Sequence, residues 1–93
     1  MAELLSDDEI KARLEGLEDW EVEGETIVRE FEFSDFLEAI DFINRIAPLA
    51  EDADHHPEIF NVYDTVELTL TTHDAGGLTD KDFDLAEQID KQV

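Results

Sequence analysis

Apolar residues recur at helical spacing in three segments of the chain. The three stripes are Ile10, Leu14 and Leu17, then Phe36, Ile40, Ile43 and Ala47, then Phe83, Ala86 and Ile89. Apolar residues three or four positions apart line one face of a helix and bury it against a core. The pattern therefore predicts helices near residues 7–15, near residues 35–50 and after Thr79.

Residues that favour helix ends bracket these stripes. Helix-capping side chains precede them at Ser6, at Ser34 or Asp35, and at Thr79. Ser6 and Glu9 have the spacing of a capping box, and Gly16 suits the end of the first helix. Pro48 cannot donate a backbone hydrogen bond, so it predicts either a kink or an end within the second helix.

Alternating apolar and polar residues predict the strands. Trp20–Glu23 and Thr26–Phe33 flank Gly24 and predict a hairpin. A third strand is predicted over Val62–Thr71, with valines and leucines on one face and Tyr63 on the other. Strands and helices in this order, without regular parallel crossovers, indicate an α+β fold with an antiparallel sheet.

Length and composition narrow the class of protein. With 93 residues, of which 42% are hydrophobic, the chain has room for a single domain, residues 1–93, and is too apolar for disorder. It has no cysteine, which excludes a disulfide framework and a thiolate nucleophile. The N-terminus shows no secretory signal, and no apolar run approaches the roughly 20 residues of a membrane span. We expect a cytoplasmic protein.

The charge is the most unusual property of the composition. The chain has 27 acidic residues against 6 lysines and arginines, which gives a net charge of −21. Such a field repels nucleic acid and anionic lipid, so neither is an expected partner. The acidic residues are spread along the chain rather than gathered in a tail. This distribution favours adaptation to a high-salt cytosol over a surface for basic partners.

All of the histidines lie in one part of the chain. His55 and His56 are adjacent and precede the third predicted strand, whereas His73 follows that strand and shares its parity with Tyr63. Histidine exchanges protons near neutral pH, so this concentration indicates a proton-transfer site. The residues alone leave a second interpretation open, in which these are ordinary loop histidines and Asp82 is a helix-capping carboxylate.

Other chemistries fit the same residues less well. Three histidines and a carboxylate are potential zinc or iron ligands, but the adjacent pair His55 and His56 chelates poorly, and we predict no metal. Adjacent side chains in an extended segment point to opposite faces, so this pair lines one pocket only if the backbone twists there. The only serines, Ser6 and Ser34, are candidate helix caps, which argues against a serine hydrolase.

One spaced pattern covers the histidines and their neighbours. It reads Glu51-x3-His55-His56-Pro57-x5-Tyr63-x9-His73-x8-Asp82. This pattern resembles the signature of the pterin-4a-carbinolamine dehydratases, and the likeness extends through Trp20, Phe31, Phe33, Phe60–Tyr63 and Gly77-Leu78. The resemblance implies a four-stranded antiparallel sheet with three helices packed on one face, and no metal or organic cofactor.

The resemblance also implies a reaction and a set of site residues. Family enzymes dehydrate a 4a-hydroxytetrahydropterin, so the expected substrate is a pterin. Catalytic roles are implied for His55, His56, His73 and Glu51, and substrate-binding roles for Asp54, His55, His56, Thr72, His73, Asp74 and Asp82. His55 and His73 would be the acid and the base, in an order that the sequence leaves open. Asp82 would support His73 or the pocket wall.

Two positions depart from the family pattern. Ile59 stands where an aromatic residue is common, and Lys81 stands where arginine is common, which keeps the charge but loses the planar guanidinium.

The resemblance further implies a homo-oligomer, either a dimer or a tetramer. Two alternatives to pterin recycling stay open: a non-enzymatic binding and dimerisation module, and the same fold acting in molybdopterin metabolism.

Overall fold

The structure, a computed structural model, describes residues 3–93. It contains a four-stranded antiparallel sheet and three helices. The elements in chain order are α1 (Asp7–Leu14), β1 (Glu21–Glu23), β2 (Thr26–Glu32), α2 (Phe36–Ala53), β3 (Glu58–Val62), β4 (Thr65–Leu70) and α3 (Asp80–Asp90). The strand order β1-β2-β4-β3 places β1 and β3 at the edges. The predicted α+β class is confirmed.

One face of the sheet carries the core. Residues directly opposite each other on paired strands share a face, and Ile27 lies opposite Leu70 while Phe31 lies opposite Val66. All four are buried. The helices pack into the same cluster through Phe42, Ile46, Phe83, Leu85 and Ile89, with Ile10 and Leu14 of α1 partly buried against it. The helices therefore pack on one face of the sheet, as predicted.

The opposite face of the sheet is acidic. The strand register places on it Glu21, Glu23, Glu30, Glu32, Glu58 and Glu67. These side chains are exposed or half-buried. A surface with this many carboxylates repels polyanions.

The predicted third strand, Val62–Thr71, contains a turn in the structure: only Val62 belongs to β3, and the rest of the predicted strand is mainly β4. β3 ends one residue before Tyr63, and β4 begins at Thr65. Tyr63 adopts a left-handed conformation (φ 50°), and Asn61 Nδ2 donates to the carbonyls of Tyr63 and Thr65 at 3.3 and 2.9 Å. The prediction that Tyr63 and His73 share the parity of one strand is therefore wrong. No glycine marks this turn, so the usual sequence signal of a two-residue hairpin is missing.

α2 is longer than predicted. It begins after the predicted cap Asp35 and continues through Pro48 to Ala53, three residues beyond the predicted end. The sequence predicted either a kink or an end of the helix at Pro48. The helix does not end there, because it continues for five residues beyond the proline to Ala53. The proline removes one backbone hydrogen bond, whereas Ile46 and Ala50 on either side of it stay buried and hold the helix against the core. Among residues 3–93, no helix is both long enough and apolar enough to cross a membrane.

α1 and α3 both begin with complete capping boxes. In α1, the Ser6 amide donates to Glu9 Oε1 at 2.9 Å, and the Glu9 amide donates to Ser6 Oγ at 3.2 Å. In α3, the Thr79 amide donates to Asp82 Oδ2 at 3.0 Å. The caps predicted at Ser6 and Thr79 are confirmed. Gly16 follows the first helix with φ 84°, a conformation that favours glycine.

A single arginine ties α1 to α3. Arg13 forms ion pairs with Asp80 at 2.6 Å, with Asp84 at 2.7 Å and with Glu87 at 3.3 Å. Partial burial acts to lower the pKa of Arg13, but the hydrogen bonds and charges of Asp84 and Glu87 outweigh it and raise the pKa above its ordinary value. These contacts hold the start of α3 in place, where the site described next is built.

Candidate active site

The end of α2 delivers two histidines to one cavity. Asp54 caps the helix in a left-handed conformation (φ 50°, ψ 43°), which aspartate tolerates better than most residues. After this turn His55 is buried and His56 is exposed. Both nevertheless line the same cavity. The turn at Asp54 ends α2 and leads the chain into the wall of the cavity, where the adjacent pair shares one pocket.

The cavity lies between the α2–β3 connection and the β4–α3 connection, and its volume is about 240 Å³. Its lining consists of Asp54, His55, His56, Thr71, Thr72, His73, Asp74 and Lys81. This volume is slightly below the roughly 300 Å³ at which pockets for drug-sized ligands begin, so the cavity suits a small molecule. Every predicted substrate-binding residue lines it except Asp82, which reaches it through His55.

His55 forms a buried pair with Asp82. His55 Nε2 lies 2.5 Å from Asp82 Oδ1, the His55 side chain is 9% exposed, and the Asp82 side chain is fully buried. The resemblance implied that Asp82 supports either His73 or the pocket wall, whereas in the structure Asp82 pairs with His55. A carboxylate hydrogen-bonded to one ring nitrogen orients an imidazole for proton exchange at the other.

His56 forms a similar pair on the solvent side. Its Nε2 lies 2.6 Å from Glu51 Oε1, and the two side chains are 56% and 76% exposed. Glu51 belongs to the last turn of α2, so this predicted catalytic residue reaches the site through His56. Because both side chains are exposed, water screens the pair and it contributes little to stability.

His73 comes from the turn that follows β4. The Thr72 amide donates to the Gly77 carbonyl at 3.0 Å, and the amides of Gly76 and Gly77 donate to the Thr72 carbonyl at 2.9 and 3.3 Å. These hydrogen bonds close a tight turn whose exposed residues include His73 and Asp74. The turn places both of them at the wall of the cavity.

Two residues that the sequence did not assign to the site also line the cavity. They are Thr71 and Lys81. Lys81 is the only lysine or arginine of the lining. The signal for it was present in the sequence, since Lys81 stands beside Asp82 at a position where the family pattern carries a cation. Tyr63, by contrast, is 65% exposed at the β3–β4 turn and is not part of the lining.

A larger cleft of about 400 Å³ lies over the acidic face of the sheet. Its lining consists of Asp19, Glu21, Glu23, Val28, Arg29, Glu30 and Glu67. It contains no histidine and no nucleophilic side chain. We therefore place the site at the smaller cavity, where proton-exchanging groups converge.

The side chains of the smaller cavity are arranged for proton exchange. Within residues 3–93, no group of three or more histidine and carboxylate side chains is arranged to hold a metal ion. His55 and His56 each have Nε2 engaged by a carboxylate. Together with His73, they offer proton donors and acceptors around a space for one small molecule.

Known proteins are similar to this chain in sequence and in fold. A family model described as pterin 4 alpha carbinolamine dehydratase matches residues 3–92. The chain belongs to this family. Proteins of Cyanothece sp. and Nitrobacter hamburgensis, both provisionally named pterin-4-alpha-carbinolamine dehydratase, are 55% identical to it over 89 and 91 residues. Each match covers 96% of this chain, and the matches cover 92% and 90% of the two relatives.

The dehydratase fold also has a close counterpart among solved structures. A Brucella melitensis protein described as a transcriptional coactivator/pterin dehydratase superimposes with a TM-score of 0.90 at 40% identity. The match covers 95% of this chain and 96% of that one. The similarity therefore extends over the sheet and the helices alike.

Proposed function

We propose that the protein dehydrates a 4a-hydroxytetrahydropterin to the quinonoid dihydropterin and water. The observation that carries this proposal is the cavity in which His55, His56 and His73 converge. Three proton-exchanging side chains around a space for a small molecule suit the elimination of water. Membership of the dehydratase family supports a pterin as the substrate.

The proposed reaction needs proton transfer at two atoms. The 4a-hydroxyl leaves as water once it receives a proton, and the neighbouring ring nitrogen loses a proton. One proton enters the substrate and one leaves it, so a donor and an acceptor in the same site complete the cycle. Histidine is suited to both roles because it exchanges protons near neutral pH.

The proposed roles of the three histidines are those that the family resemblance implies, and the hydrogen bonds of the site support the roles of the two carboxylates. His55 and His73 act as the acid and the base, and His56 holds the pterin and its hydroxyl. Asp82 orients His55, and Glu51 orients His56, each through a hydrogen bond to Nε2. The proposed wall contacts to the pterin are the side chain or backbone of Asp54, Asp74 and Lys81, and the backbone of Thr72.

A second candidate function is a binding and dimerisation module without catalysis. It is favoured by the description of the Brucella melitensis structure, which names a transcriptional coactivator as well as a dehydratase. The paired histidines favour the enzyme, because a binding module has no need of a buried carboxylate held against His55.

We also propose that the protein is a homo-oligomer. β3 is an edge strand, and the apolar side chains of β3 and the following turn are exposed: Ile59 (45%), Phe60 (64%), Val62 (55%) and Tyr63 (65%). An exposed apolar edge strand is unusual in a monomer because it invites pairing with another chain. Sedimentation in high salt tests this, and a monomer of 10.6 kDa would contradict it.

The proposed working environment is a high-salt cytosol. The acidic sheet face and the net charge of −21 impose strong self-repulsion, which dissolved salt screens. The free energy of unfolding should therefore be lower in low salt than in molar salt. A midpoint of urea unfolding that does not change with salt would contradict this environment.

The decisive experiment is dehydration of synthetic 4a-hydroxytetrahydropterin in molar salt. We expect the wild type to accelerate the reaction, and the double variant His55→Ala, His73→Ala to lose that acceleration. Glu30→Gln is a matched control, because Glu30 lies on the acidic face of the sheet, opposite the core, and does not line the histidine cavity. We expect this control to retain wild-type turnover.

Two outcomes would contradict the dehydratase. A folded wild type without turnover would favour the binding module. A double variant that keeps wild-type turnover would show that the histidine cavity is not the site of the reaction. Circular dichroism of each variant establishes that a loss of turnover is not a loss of folding.

A further inference from the structure

Two buried hydroxyl groups lie behind the His55–Asp82 pair. Thr72 Oγ lies 2.9 Å from Asp82 Oδ2 and 2.7 Å from Thr79 Oγ, and the Thr79 amide donates to the same Oδ2 at 3.0 Å. Thr79 and Asp82 are fully buried, and Thr72 is 6% exposed. These side chains join the end of β4, the start of α3 and the α2–β3 connection in one hydrogen-bond network.

The direction of each hydrogen bond follows from which atoms carry protons. A carboxylate only accepts, so Thr72 donates its single hydroxyl proton to Asp82. Thr79 must then donate its hydroxyl proton to Thr72 Oγ, while its own oxygen accepts from the Lys81 amide at 3.3 Å. With donors on both of its oxygens, the Asp82 carboxylate is held in one orientation.

This orientation determines which nitrogen of His55 carries the proton. Asp82 Oδ1 is an acceptor, so His55 Nε2 donates to it, and the lone pair of the neutral ring lies on Nδ1. Within residues 3–93, His55 Nδ1 makes no hydrogen bond. It is nevertheless not a fully buried atom, because Arg29 Nε is the only fully buried side-chain nitrogen or oxygen without a partner among these residues. Nδ1 therefore keeps some exposed surface, and the cavity is the space that the His55 side chain lines.

We propose that Thr72 and Thr79 are positioning residues that hold His55 in the Nε2–H tautomer, with Nδ1 as the nitrogen that exchanges a proton with the ligand. The catalytic consequence rests on the proposed dehydratase function, whereas the tautomer does not. The Thr72 hydroxyl then acts through Asp82 rather than on the substrate. Thr79 gains a role beyond capping α3.

Nitrogen NMR of isotopically labelled protein reads the tautomer directly, at a mildly alkaline pH where histidine is neutral. We expect the wild type to show His55 protonated at Nε2 and unprotonated at Nδ1. Thr72→Val and Thr79→Val remove a hydroxyl and keep the shape of the side chain. We expect each to give a mixture of His55 tautomers, and Thr72→Ser and Thr79→Ser to restore the wild-type spectrum.

Two matched controls separate this effect from a general loss of hydroxyl or cap. Thr26→Val removes a hydroxyl that donates to the Glu23 carbonyl at 2.8 Å, and Ser6→Ala removes the cap of α1. Neither residue lines the cavity, so we expect both controls to keep the wild-type His55 spectrum. A wild-type spectrum in the folded Thr72→Val and Thr79→Val variants would overturn the proposal.

Kinetics separate positioning from substrate contact at Thr72. Loss of one hydrogen bond to a charged group should lower kcat of Thr72→Val about tenfold. KM should change by less than about twofold, because the hydroxyl makes no contact with the substrate in this proposal. A raised KM with unchanged kcat would identify a substrate contact and overturn the positioning role. If the wild type has no turnover, the dehydratase proposal fails, while the NMR comparison still decides the tautomer.

Discussion

The two capping boxes of this protein share a hydrogen bond from the cap amide to a carboxylate three residues on, but they lie in different surroundings. In α1, Ser6 and Glu9 are exposed to solvent. In α3, Thr79 and Asp82 are fully buried. Among residues 3–93, the Glu9 carboxylate bonds only to Ser6. The Asp82 carboxylate instead accepts from the Thr79 amide at one oxygen and from His55 at the other.

The difference shows how a structural motif becomes part of a reactive site. A carboxylate has two oxygens with about four acceptor positions, and a capping box occupies only one of them. At the surface, water satisfies the rest. In the interior, protein groups must satisfy them. Burial of the box in α3 therefore creates a fixed acceptor to which a histidine is bound.

Removing the buried carboxylate should have the largest effect. Asp82→Ala leaves donors on His55, Thr72 and Thr79 without an acceptor, and we expect it to lower the free energy of unfolding by about 3 kcal/mol. Glu9→Ala should cost much less, because water replaces the exposed carboxylate. Urea unfolding followed by tryptophan fluorescence measures both. Equal losses of unfolding free energy in Asp82→Ala and Glu9→Ala would contradict the difference between the buried and the exposed box.

Removing the capping hydroxyls should have the next largest effect. Ser6→Ala should cost about 1 kcal/mol, the usual value for an exposed cap. Thr79→Ala should cost about 2 kcal/mol, because the same change also leaves the buried Thr72 hydroxyl without its donor. Thermal unfolding of the two variants, with Thr79→Ser as the conservative control, measures the difference. A Thr79→Ala variant as stable as Ser6→Ala would show that the buried network adds nothing to the cap.

The two histidine–carboxylate pairs sharpen the same comparison. Their distances are alike, 2.5 Å for His55–Asp82 and 2.6 Å for His56–Glu51, but the first pair is buried and the second exposed. A double-mutant cycle on the exposed pair should give a coupling energy below about 1 kcal/mol that disappears in molar salt. The cycle on the buried pair should give a larger energy that salt leaves unchanged. A salt-sensitive buried pair would contradict the burial that the structure shows.

The smallest expected effect is the pH dependence of the exposed box. The pKa of Glu9 is lowered because its carboxylate accepts from the Ser6 amide, with a further contribution from the Ser6 side chain. A lowered folded-state pKa stabilises the protein above the unfolded value, about pH 4.3, and this contribution is lost as the pH falls through the lower folded value. Glu9→Gln should therefore remove part of the acid sensitivity of urea unfolding. Identical pH profiles for the wild type and Glu9→Gln would contradict this.

The sequence was most informative where local rules decide the structure. The caps Ser6 and Thr79 begin helices as predicted, and Asp35 is the cap of α2 among the two candidates Ser34 and Asp35. Such caps can be predicted because they are satisfied by amides two or three positions away. The hairpin at Tyr63 was missed because its left-handed turn lacks glycine and is held by Asn61. The end of α2 was missed because burial around Pro48 outweighs the local cost of proline.

The candidate site divides in the same way. The sequence showed the three histidines close together, and its resemblance to the dehydratase signature joined Glu51 and Asp82 to them. Apolar periodicity determined the fold class. Only the tertiary structure decided that Asp82 contacts His55, that two threonines complete their network and that Lys81 lines the cavity. The physical reason is that periodicity and capping act over a few residues, whereas His55 and Asp82 are 27 positions apart and meet only where α3 packs beside the end of α2.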